Sequence, residues 1–447
     1  MESKKWIEWT GKESPKKSEV SISELIPWKI LFSYLTALIV ISIFSLSHAG
    51  APPPGWRQVN RDGFISGFGP NNETDLFVFN EELYAFNGNG LFRMNNPLTR
   101  NWTKLSLPYP PFARGQLPSQ LIVLGGFLYA SYNGELWLLQ DGNDPAGPDW
   151  HKLYIAPDSL TLKTIFADMI YGVKQISQGF EIWRAPLGVY DNTLWERWER
   201  VVDNSFGDTA NNTSVDIMIV YNGDIYAGVG TLDGFFGDPR SYGTGVEIWE
   251  SSTGSLNTWS QVNVDGFGTL FQGCINPGPM HVCYFAIHQV IGSAAVYRAG
   301  RGATPYLYIG TKSHYGAEIW RYNGVGGVNG WTNVTPSWAG PGFTSSPGRN
   351  EDLGIFSGGL YLAEGFPTAN LAKYDGTNWS IVVAGPEVSG LPHTFSPRIT
   401  RLHSLAVYKD KIYVSAAGNI YDTLGDQVWG YPFKGFIVPV YMPLLLD

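Results

Sequence analysis

Aromatic and charged side chains are concentrated in one long loop of the chain, residues 229–245. This loop carries Asp233, Phe235, Phe236, Asp238, Arg240 and Tyr242. A second set of similar character, Lys312, His314 and Tyr315, follows further along the chain. Exposed aromatic faces stack on a ligand while neighbouring polar groups fix its orientation. These residue types predict recognition of a carbohydrate or a peptide, and the alternative is a pair of loops that only cover the fold.

Catalytic and metal-binding motifs are absent from the sequence. The seven histidines show neither H-x-H nor H-E-x-x-H spacing, and no G-x-S-x-G sequence occurs. Two carboxylates from distant segments can still meet without a linear motif, as in glycoside hydrolases. The sequence therefore favours a non-catalytic protein without a metal site, with a glycoside hydrolase or lyase as the alternative.

Asp-Gly-Phe turns recur at Asp62-Gly63-Phe64 and at Asp265-Gly266-Phe267. Asp carboxylates and main-chain carbonyls in glycine-rich loops can hold Ca²⁺. The dense alternation of acids that marks a strong calcium loop is missing. We expect these segments to be turns that plug the fold, so no cofactor is expected and structural calcium is the weaker alternative.

The two cysteines, Cys274 and Cys283, lie close together in one segment rich in glycine and proline. In an oxidising compartment such a pair predicts a local disulfide. Two free thiols are the alternative. With only His281 nearby, the pair lacks the ligands for a zinc site.

The N-terminal part of the chain indicates export. Residues 1–27 are polar, residues 28–49 are apolar and end in Ser47-His48-Ala49, and residues 50–55 form a proline-rich spacer. This order is typical of a secretory signal peptide cleaved after Ala49. Residues 28–47 are also long enough to be an uncleaved anchor. Either way, we expect the rest of the chain to be secreted or held at the outer face of the membrane.

The composition bounds the class of the exported part. Charged residues make up 15% of the chain, aromatic residues make up 15%, and there are 53 glycines. Such a composition suggests short strands in stacked sheets. The formal net charge of −9 argues against a nucleic-acid partner, which would need a basic surface.

A repeat recurs along residues 56–432 and positions the candidate residues. A short apolar strand ending in tyrosine appears seven times, at Tyr84, Tyr129, Tyr171, Tyr226, Tyr308, Tyr361 and Tyr413. An apolar run, such as LFVF at 76–79, precedes the tyrosine strand, and an aromatic strand follows it; a strand that opens with Trp comes next in the first six units. Seven repeat units with four short strands each predict an all-β, seven-bladed β-propeller of four-stranded blades.

The seventh unit lacks its last strand, and the start of the repeat region supplies a match. Residues 56–59, Trp-Arg-Gln-Val, resemble Trp259-Ser260-Gln261-Val262. An open ring would leave an unpaired strand edge, so we expect residues 56–59 to close blade 7. The apolar segment 433–447, broken by prolines, follows the ring and is expected to pack against its base.

Glutamate precedes the aromatic strand residue by two positions in several repeats, as in Glu181-x-Trp183 and Glu247-x-Trp249. Residues i and i+2 of a strand share a face. We expect these carboxylates to accept hydrogen bonds from the main chain of a neighbouring blade rather than to form a ring of catalytic acids.

The repeat resembles the kelch-like, galactose-oxidase-type propeller repeats of secreted bacterial proteins. The resemblance rests on W-x-x-V, the D-G-F-G turn, L-Y-A-G and G-x-E-I-W-R, and it is clearest at 224–228, 259–268 and 316–321. The chain departs from the kelch pattern because its Gly-Gly pairs precede the tyrosine strand. The resemblance implies a propeller fold and an exported location and says little about activity.

Together these observations predict an extracellular or cell-surface recognition module that binds carbohydrate or protein through the loops of blades 4 and 5. A carbohydrate-active enzyme using the same face is the first alternative, and a structural surface protein without a small ligand is the second. Contact with a membrane is expected only through the N-terminal segment, and nothing in the sequence indicates an oligomeric state. Six Asn-x-Ser/Thr sequences could accept glycans if the host glycosylates exported proteins: Asn72, Asn101, Asn211, Asn212, Asn333 and Asn378.

Overall fold

The four strands of each repeat form one antiparallel sheet, and seven such sheets build a β-propeller. The computed structural model describes residues 53–432 except 62–63, 65–73, 109–111, 113–115, 140–143, 148, 154–158, 188–197, 231–244, 269, 273–283, 287–289, 314–317, 327, 336–347, 366–368, 386–394, 396–398 and 419–425. Every described residue belongs to one compact unit, which spans residues 50–447. Within the described residues, no helix is long and apolar enough to cross a membrane. Both the candidate anchor 28–47 and the tail 433–447 lie outside them.

Blades 1 to 4 follow one another along the chain after β1 (Arg57–Gln58), which belongs to blade 7. Blade 1 contains β2 (Asp75–Phe79), β3 (Glu82–Asn87), β4 (Gly90–Asn96) and β5 (Asn101–Leu105). Blade 2 contains β6 (Gln120–Leu124), β7 (Phe127–Tyr132), β8 (Glu135–Leu139) and β9 (Trp150–Leu153). Blade 3 contains β10 (Leu160–Phe166), β11 (Met169–Gln175), β12 (Phe180–Pro186) and β13 (Glu199–Val202). Blade 4 contains β14 (Ser214–Tyr221), β15 (Asp224–Gly230), β16 (Glu247–Ser251) and β17 (Ser260–Gln261).

A two-stranded hairpin, β18 (Leu270–Gln272) and β19 (Tyr284–Ala286), precedes blade 5 in a segment where the sequence predicts only a loop. Blade 5 contains β20 (Val290–Tyr297), β21 (Tyr306–Ser313), β22 (Ile319–Tyr322) and β23 (Trp331–Asn333). Blade 6 contains β24 (Gly348–Phe356), β25 (Gly359–Glu364), β26 (Leu371–Tyr374) and β27 (Trp379–Val383). Blade 7 contains β28 (Ile399–Tyr408), β29 (Lys411–Gly418) and β30 (Gln427–Tyr431), and a short pairing of β21 with β24 joins blades 5 and 6.

The ring closes as the repeat predicts. Strand β1 pairs antiparallel with β30 through Arg57 opposite Gly430 and Gln58 opposite Trp429. The main-chain nitrogen of Val59 then donates to the oxygen of Val428 at 2.8 Å. The predicted fold, including closure of blade 7 by the N-terminal strand, is confirmed.

The hydrophobic core is divided into seven layers, one between each pair of neighbouring blades. The tyrosine that defines the repeat is buried in every blade, from Tyr84 in blade 1 to Tyr413 in blade 7. Burying large aromatic side chains in this way supplies much of the stabilisation of a fold of short strands.

The tryptophans that open the outer strands tie neighbouring blades together. The indole Nε1 atoms of Trp102, Trp331 and Trp379 donate to the main-chain oxygens of Val59, Val262 and Val334, at 2.8, 2.9 and 2.7 Å. Each bond joins one blade to the W-x-x-V segment of the preceding blade. The valine carbonyl of each of these W-x-x-V segments therefore joins two neighbouring blades through a hydrogen bond.

The Asp-Gly-Phe turns place a phenylalanine against the aromatic residues of the blade that follows. Phe267 stacks on Trp320 with ring centroids 4.6 Å apart and meets the edge of Trp331 at 5.1 Å. Phe206 stacks on Trp249 at 4.4 Å in the corresponding turn before blade 4. This packing agrees with the prediction that the turns plug the fold.

The repeated glutamates bind different partners from those that the sequence suggests. Glu181 and Glu247 accept hydrogen bonds from the indoles of Trp183 and Trp249, two residues along the same strand, at 3.0 and 2.8 Å. Glu247 also accepts from Nδ2 of Asn212 at 2.7 Å. The expectation of main-chain partners is therefore wrong for these two residues, because an i, i+2 pair on one face brings the carboxylate directly to the indole.

Candidate functional site

The long loops of blades 4 and 5 both leave the fold from one face of the ring. Ser214 at the start of β14 lies opposite Gly230 at the end of β15, and Val290 pairs with Lys312 in the same way in blade 5. We call this side, where the first strand of each blade begins, the entry face. Loops 231–244 and 314–317 therefore connect at the entry face.

Most of the candidate residues lie outside the described residues. These are Asp233, Phe235, Phe236, Asp238, Arg240, Tyr242, His314 and Tyr315. The two cysteines, Cys274 and Cys283, also lie outside them. The binding role of the loops and the disulfide stay predictions.

Lys312 is the one candidate that the structure describes. It is half-buried near the end of β21, and its ladder partner Val290 adjoins Ile291, whose main-chain nitrogen donates to the Asp216 carboxylate of blade 4. Burial raises the pKa of that carboxyl, and the ammonium groups of Lys163 in blade 3 and of Lys312 oppose the shift. The structure thus brings Lys312 together with two charged residues that the sequence did not single out.

These three residues belong to a set of polar side chains contributed by every blade around the centre. We call this set the inner polar ring, and it comprises Asp75, Gln120, Lys163, Asp216, Lys312, Asp352 and His403, from blades 1 to 7 in that order. Lys163, Asp216 and Asp352 are half-buried side chains of first strands. The first strands of neighbouring blades contact one another around the ring, so these side chains lie at its centre, along the central channel of the propeller.

Several members of the ring hold the first strand of the next blade. The Asp216 carboxylate accepts from the main-chain nitrogen of Ile291 at 2.8 Å, and that of Asp352 accepts from Leu405 at 2.7 Å. The Gln120 amide bonds both the nitrogen and the oxygen of Leu162, at 3.1 and 3.0 Å. These carboxylates and amides therefore satisfy main-chain groups that the sheets leave unpaired.

Contacts with the next blade also involve Lys163 and His403 of the first strands. The Lys163 ammonium donates to the main-chain oxygen of Asp216 at 3.2 Å. His403 Nε2 lies 3.1 Å from Asp75 Oδ1, which connects blade 7 to blade 1. Acidic, basic and neutral polar side chains thus occur together around the channel.

β-Bulges explain why these residues point away from the sheet ladder. In blades 3, 4 and 7 the strand register shifts between Leu162 and Thr164, between Val215 and Ile217, and between Leu402 and Leu405. The additional residues include Lys163, Asp216 and His403. A bulge leaves its extra residue unpaired and turns its side chain. Blades 5 and 6 also carry bulges in their first strands.

Burial dominates the electrostatics of the ring. It raises the pKa of Asp352 to about 6, although hydrogen bonds from the main chain and the nearby His403 oppose the shift. Burial likewise raises the pKa of Asp216 against the Ile291 and Ser214 hydrogen bonds, and lowers the pKa of Lys163. The enclosed groups of both signs are thus shifted towards their neutral forms.

A second buried acid lies where blade 7 meets blade 1. The Asp426 carboxylate accepts from Thr74 Oγ1 at 2.5 Å and from Asn87 Nδ2 at 3.5 Å, and the Asp426 main-chain oxygen accepts from Asn60 Nδ2 at 3.0 Å. Burial raises its pKa to about 6. Since Asn60 adjoins the closing strand and Thr74 and Asn87 belong to blade 1, Asp426 connects both ends of the ring.

One signal in the sequence marks part of this ring. Lys163 in LTLKTIF, Asp216 in SVDIMIV and His403 in RLHSLAVY each interrupt an otherwise apolar first strand. The repeat is defined by its apolar residues, so these polar exceptions are not part of its pattern. Among the described residues, no three His, Cys, Asp or Glu side chains lie close enough together to hold a metal ion.

No protein-family model matches the chain, and no curated protein matches it. Among solved structures, it is similar to the extracellular domain of a B. thetaiotaomicron protein described as a one component system, with 12% identity and a TM-score of 0.48 over 83% of this chain and 40% of that chain. The extracellular domain of a hybrid two component system from the same organism is 11% identical, with a TM-score of 0.45 over 84% of this chain and 42% of that chain. The Neurospora crassa Pan2 WD40 domain is 9% identical, with a TM-score of 0.44 over 87% of this chain and 98% of that chain.

The chain thus spans about two fifths of the length of the two bacterial proteins. Identities and TM-scores this low assign neither a family nor a function to it. The resemblance to kelch-like and galactose-oxidase-type repeats stays a prediction.

Proposed function

We propose that this propeller is a non-catalytic recognition module, secreted or anchored outside the membrane through residues 28–47, that binds a carbohydrate or a surface protein at the entry face. The observation that carries the proposal is the position of Lys312 in the ladder: it pairs with Val290, and the adjoining Ile291 donates its main-chain N–H to the Asp216 carboxylate. It brings a charged residue of the blade-5 loop region to the inner polar ring, at the face where the long loop 231–244 is attached.

The chemistry of the ring favours a polar ligand with little net charge. Lys163, Lys312 and Gln120 carry N–H donors, and Asp75 and Asp216 carry carboxylate acceptors. An ion of either sign would meet a like charge within this set, whereas a hydroxyl can donate to one group and accept from another. Sugars combine many hydroxyls with an apolar ring face that Phe235, Phe236 and Tyr242 could stack against. A carbohydrate is therefore the first ligand to test.

The second candidate is a carbohydrate-active enzyme that uses the same face. The raised pKa values of Asp216 and Asp352 favour it, because a general acid needs such a shift. Each carboxylate, however, already accepts a main-chain N–H from the next blade. This structural task accounts for their burial, so the geometry favours binding over catalysis. A structural surface protein would show neither binding nor turnover.

The proposal is tested by applying the full-length chain to an array of glycans and polysaccharides, with and without Ca²⁺. We expect specific binding that does not need Ca²⁺ and that is lost when Phe235, Phe236 and Tyr242 are changed together to alanine. Tyr306→Ala is the control, because Tyr306 lies at the opposite end of β21 from Lys312. A folded chain that binds no glycan would contradict the carbohydrate proposal and leave protein partners or a structural role.

A further inference from the structure

The outermost strands carry three of the six Asn-x-Ser/Thr sequences. Asn101 and Asn378 each directly precede the tryptophan that opens the outer strand, in blades 1 and 6. Asn333 ends the outer strand of blade 5. All three side chains are exposed. No further strand of the blade covers them, so they lie on the circumference of the ring, away from the channel.

Their amide nitrogens are available for bonding. Among the described residues, no hydrogen bond engages Nδ2 of Asn101, Asn333 or Asn378. In the sequence Asn333-Val334-Thr335, the main-chain nitrogen of Thr335 donates to Asn333 Oδ1 at 2.9 Å, and the Thr335 hydroxyl is bonded to the same oxygen. The oxygen of this amide is thus held by its own sequence motif, and no described residue bonds its nitrogen.

The other sequences differ in burial. Asn212 is fully buried, and its Nδ2 donates to Glu247 Oε2 at 2.7 Å and to the oxygen of Ser205 at 3.4 Å. Asn211 is half-buried and donates to Asp208 Oδ2 at 2.8 Å. Asn72 lies outside the described residues. A glycan on Asn212 would need both space and a nitrogen that the fold already uses.

We propose that Asn101, Asn333 and Asn378 are acceptors for N-linked glycans and that Asn212 is not. In the transfer, the asparagine Nδ2 bonds to C1 of the sugar and loses one proton. The bond from C1 to the diphosphate of the oligosaccharide donor breaks, and a host transferase catalyses the step. Glycans at these positions cover the circumference of blades 1, 5 and 6, with Asn101 and Asn378 at the starts of their outer strands, towards the face opposite the entry face, and Asn333 at the end of β23. The inference rests on the exported location in the proposed function.

The test is to produce the full-length chain in eukaryotic cells that glycosylate exported proteins, and to collect the chain from the medium and the cell surface. Enzymatic release of N-glycans in ¹⁸O-water converts each occupied Asn into labelled Asp, which peptide mass spectrometry locates. We expect label at residues 101, 333 and 378 and unlabelled Asn at 212. Asn101→Gln, Asn333→Gln and Asn378→Gln should each remove one glycan, whereas Asn95→Gln, an exposed residue outside any such sequence, should remove none.

Exported chain with unmodified Asn at 101, 333 and 378 would overturn the inference and leave the proposed function intact. Failure to find the chain in the medium or on the surface would instead contradict the exported location, and the glycan inference would fall with it. Label at 212 in folded chain would also overturn the assignment.

Discussion

The indole Nε1 of Trp102 donates a 2.8 Å hydrogen bond to the main-chain oxygen of Val59, and this bond connects blade 1 to the strand that closes blade 7. Val59 also donates its own N–H to Val428 in blade 7. One valine therefore fixes the closing strand on two sides, and the stability of the ring should depend on its partners.

Trp102→Phe should destabilise the fold by about 1–3 kcal/mol, because it leaves a buried carbonyl without its donor. Trp183→Phe is the matched control: the indole of Trp183 donates to the half-buried Glu181 carboxylate, which water can reach in its place. Urea unfolding followed by tryptophan fluorescence and circular dichroism measures the loss in the free energy of unfolding for both variants. Equal losses in the two variants would contradict a special role for the Trp102–Val59 bond.

Phe267→Ala should lower the free energy of unfolding by about 3–5 kcal/mol, because the side chain is buried against two tryptophans. Val264→Ala, in the same turn but more than one third exposed at 38%, should cost much less. The melting temperature of the unmodified chain should not change when a calcium chelator is added. A large drop on chelation would show that these turns bind calcium.

Stability should depend on pH through Asp352. The unfolded chain releases this proton near pH 4, whereas burial raises the folded pKa to about 6. The folded state therefore binds more protons between these values, so this contribution to stability is present at low pH and is lost as the pH rises through about 6. Asp352→Asn removes the titration, and its Oδ1 can still accept from Leu405.

The difference in the free energy of unfolding between Asp352→Asn and the unmodified chain should shift by about 1–3 kcal/mol in favour of the variant as the pH rises from about 4 to above about 7. Asp410→Asn, at an exposed hairpin, should show no such gain. Chemical denaturation across this pH range measures both variants. If Asp352→Asn has the same pH dependence as the unmodified chain, burial of this carboxyl does not control the effect.

The predicted disulfide between Cys274 and Cys283 would cross-link the segment between Gln272 and Tyr284, which pair in the hairpin of β18 and β19. Alkylation of the unreduced chain followed by peptide mass spectrometry should find the two cysteines linked. Closing a loop of this size should contribute about 2–3 kcal/mol, which the Cys274→Ser/Cys283→Ser double variant would lose. Quantitative alkylation of both thiols without reductant would contradict the disulfide.

The sequence predicted the ring well, because each blade repeats the same buried positions. Tyr84 and its six counterparts, together with the tryptophans of the outer strands, recur in the same order in every blade although the loops between them differ in length. The match of residues 56–59 to the other outer strands was enough to predict the closure.

The inner polar ring could not be predicted in the same way. Lys163 and Asp216 depend on bulges that shift the register, so they do not recur at one position of the repeat. Lys312 belongs to a second strand, whereas the other members come from first strands. The hairpin formed by β18 and β19 was missed because its strands have only three residues each and flank a segment rich in glycine and proline.

The most direct test of the binding site is the affinity of the full-length chain for the glycan that binds best on the array, measured by isothermal titration calorimetry. Lys312→Gln removes one charge of the inner polar ring at the entry face and should weaken binding at least tenfold, or about 1.4 kcal/mol. Lys104→Gln removes an exposed charge from the outer strand of blade 1 and should leave the affinity unchanged. Unchanged affinity in Lys312→Gln, with the fold intact, would contradict the placement of the site at the inner polar ring and the loops of blades 4 and 5.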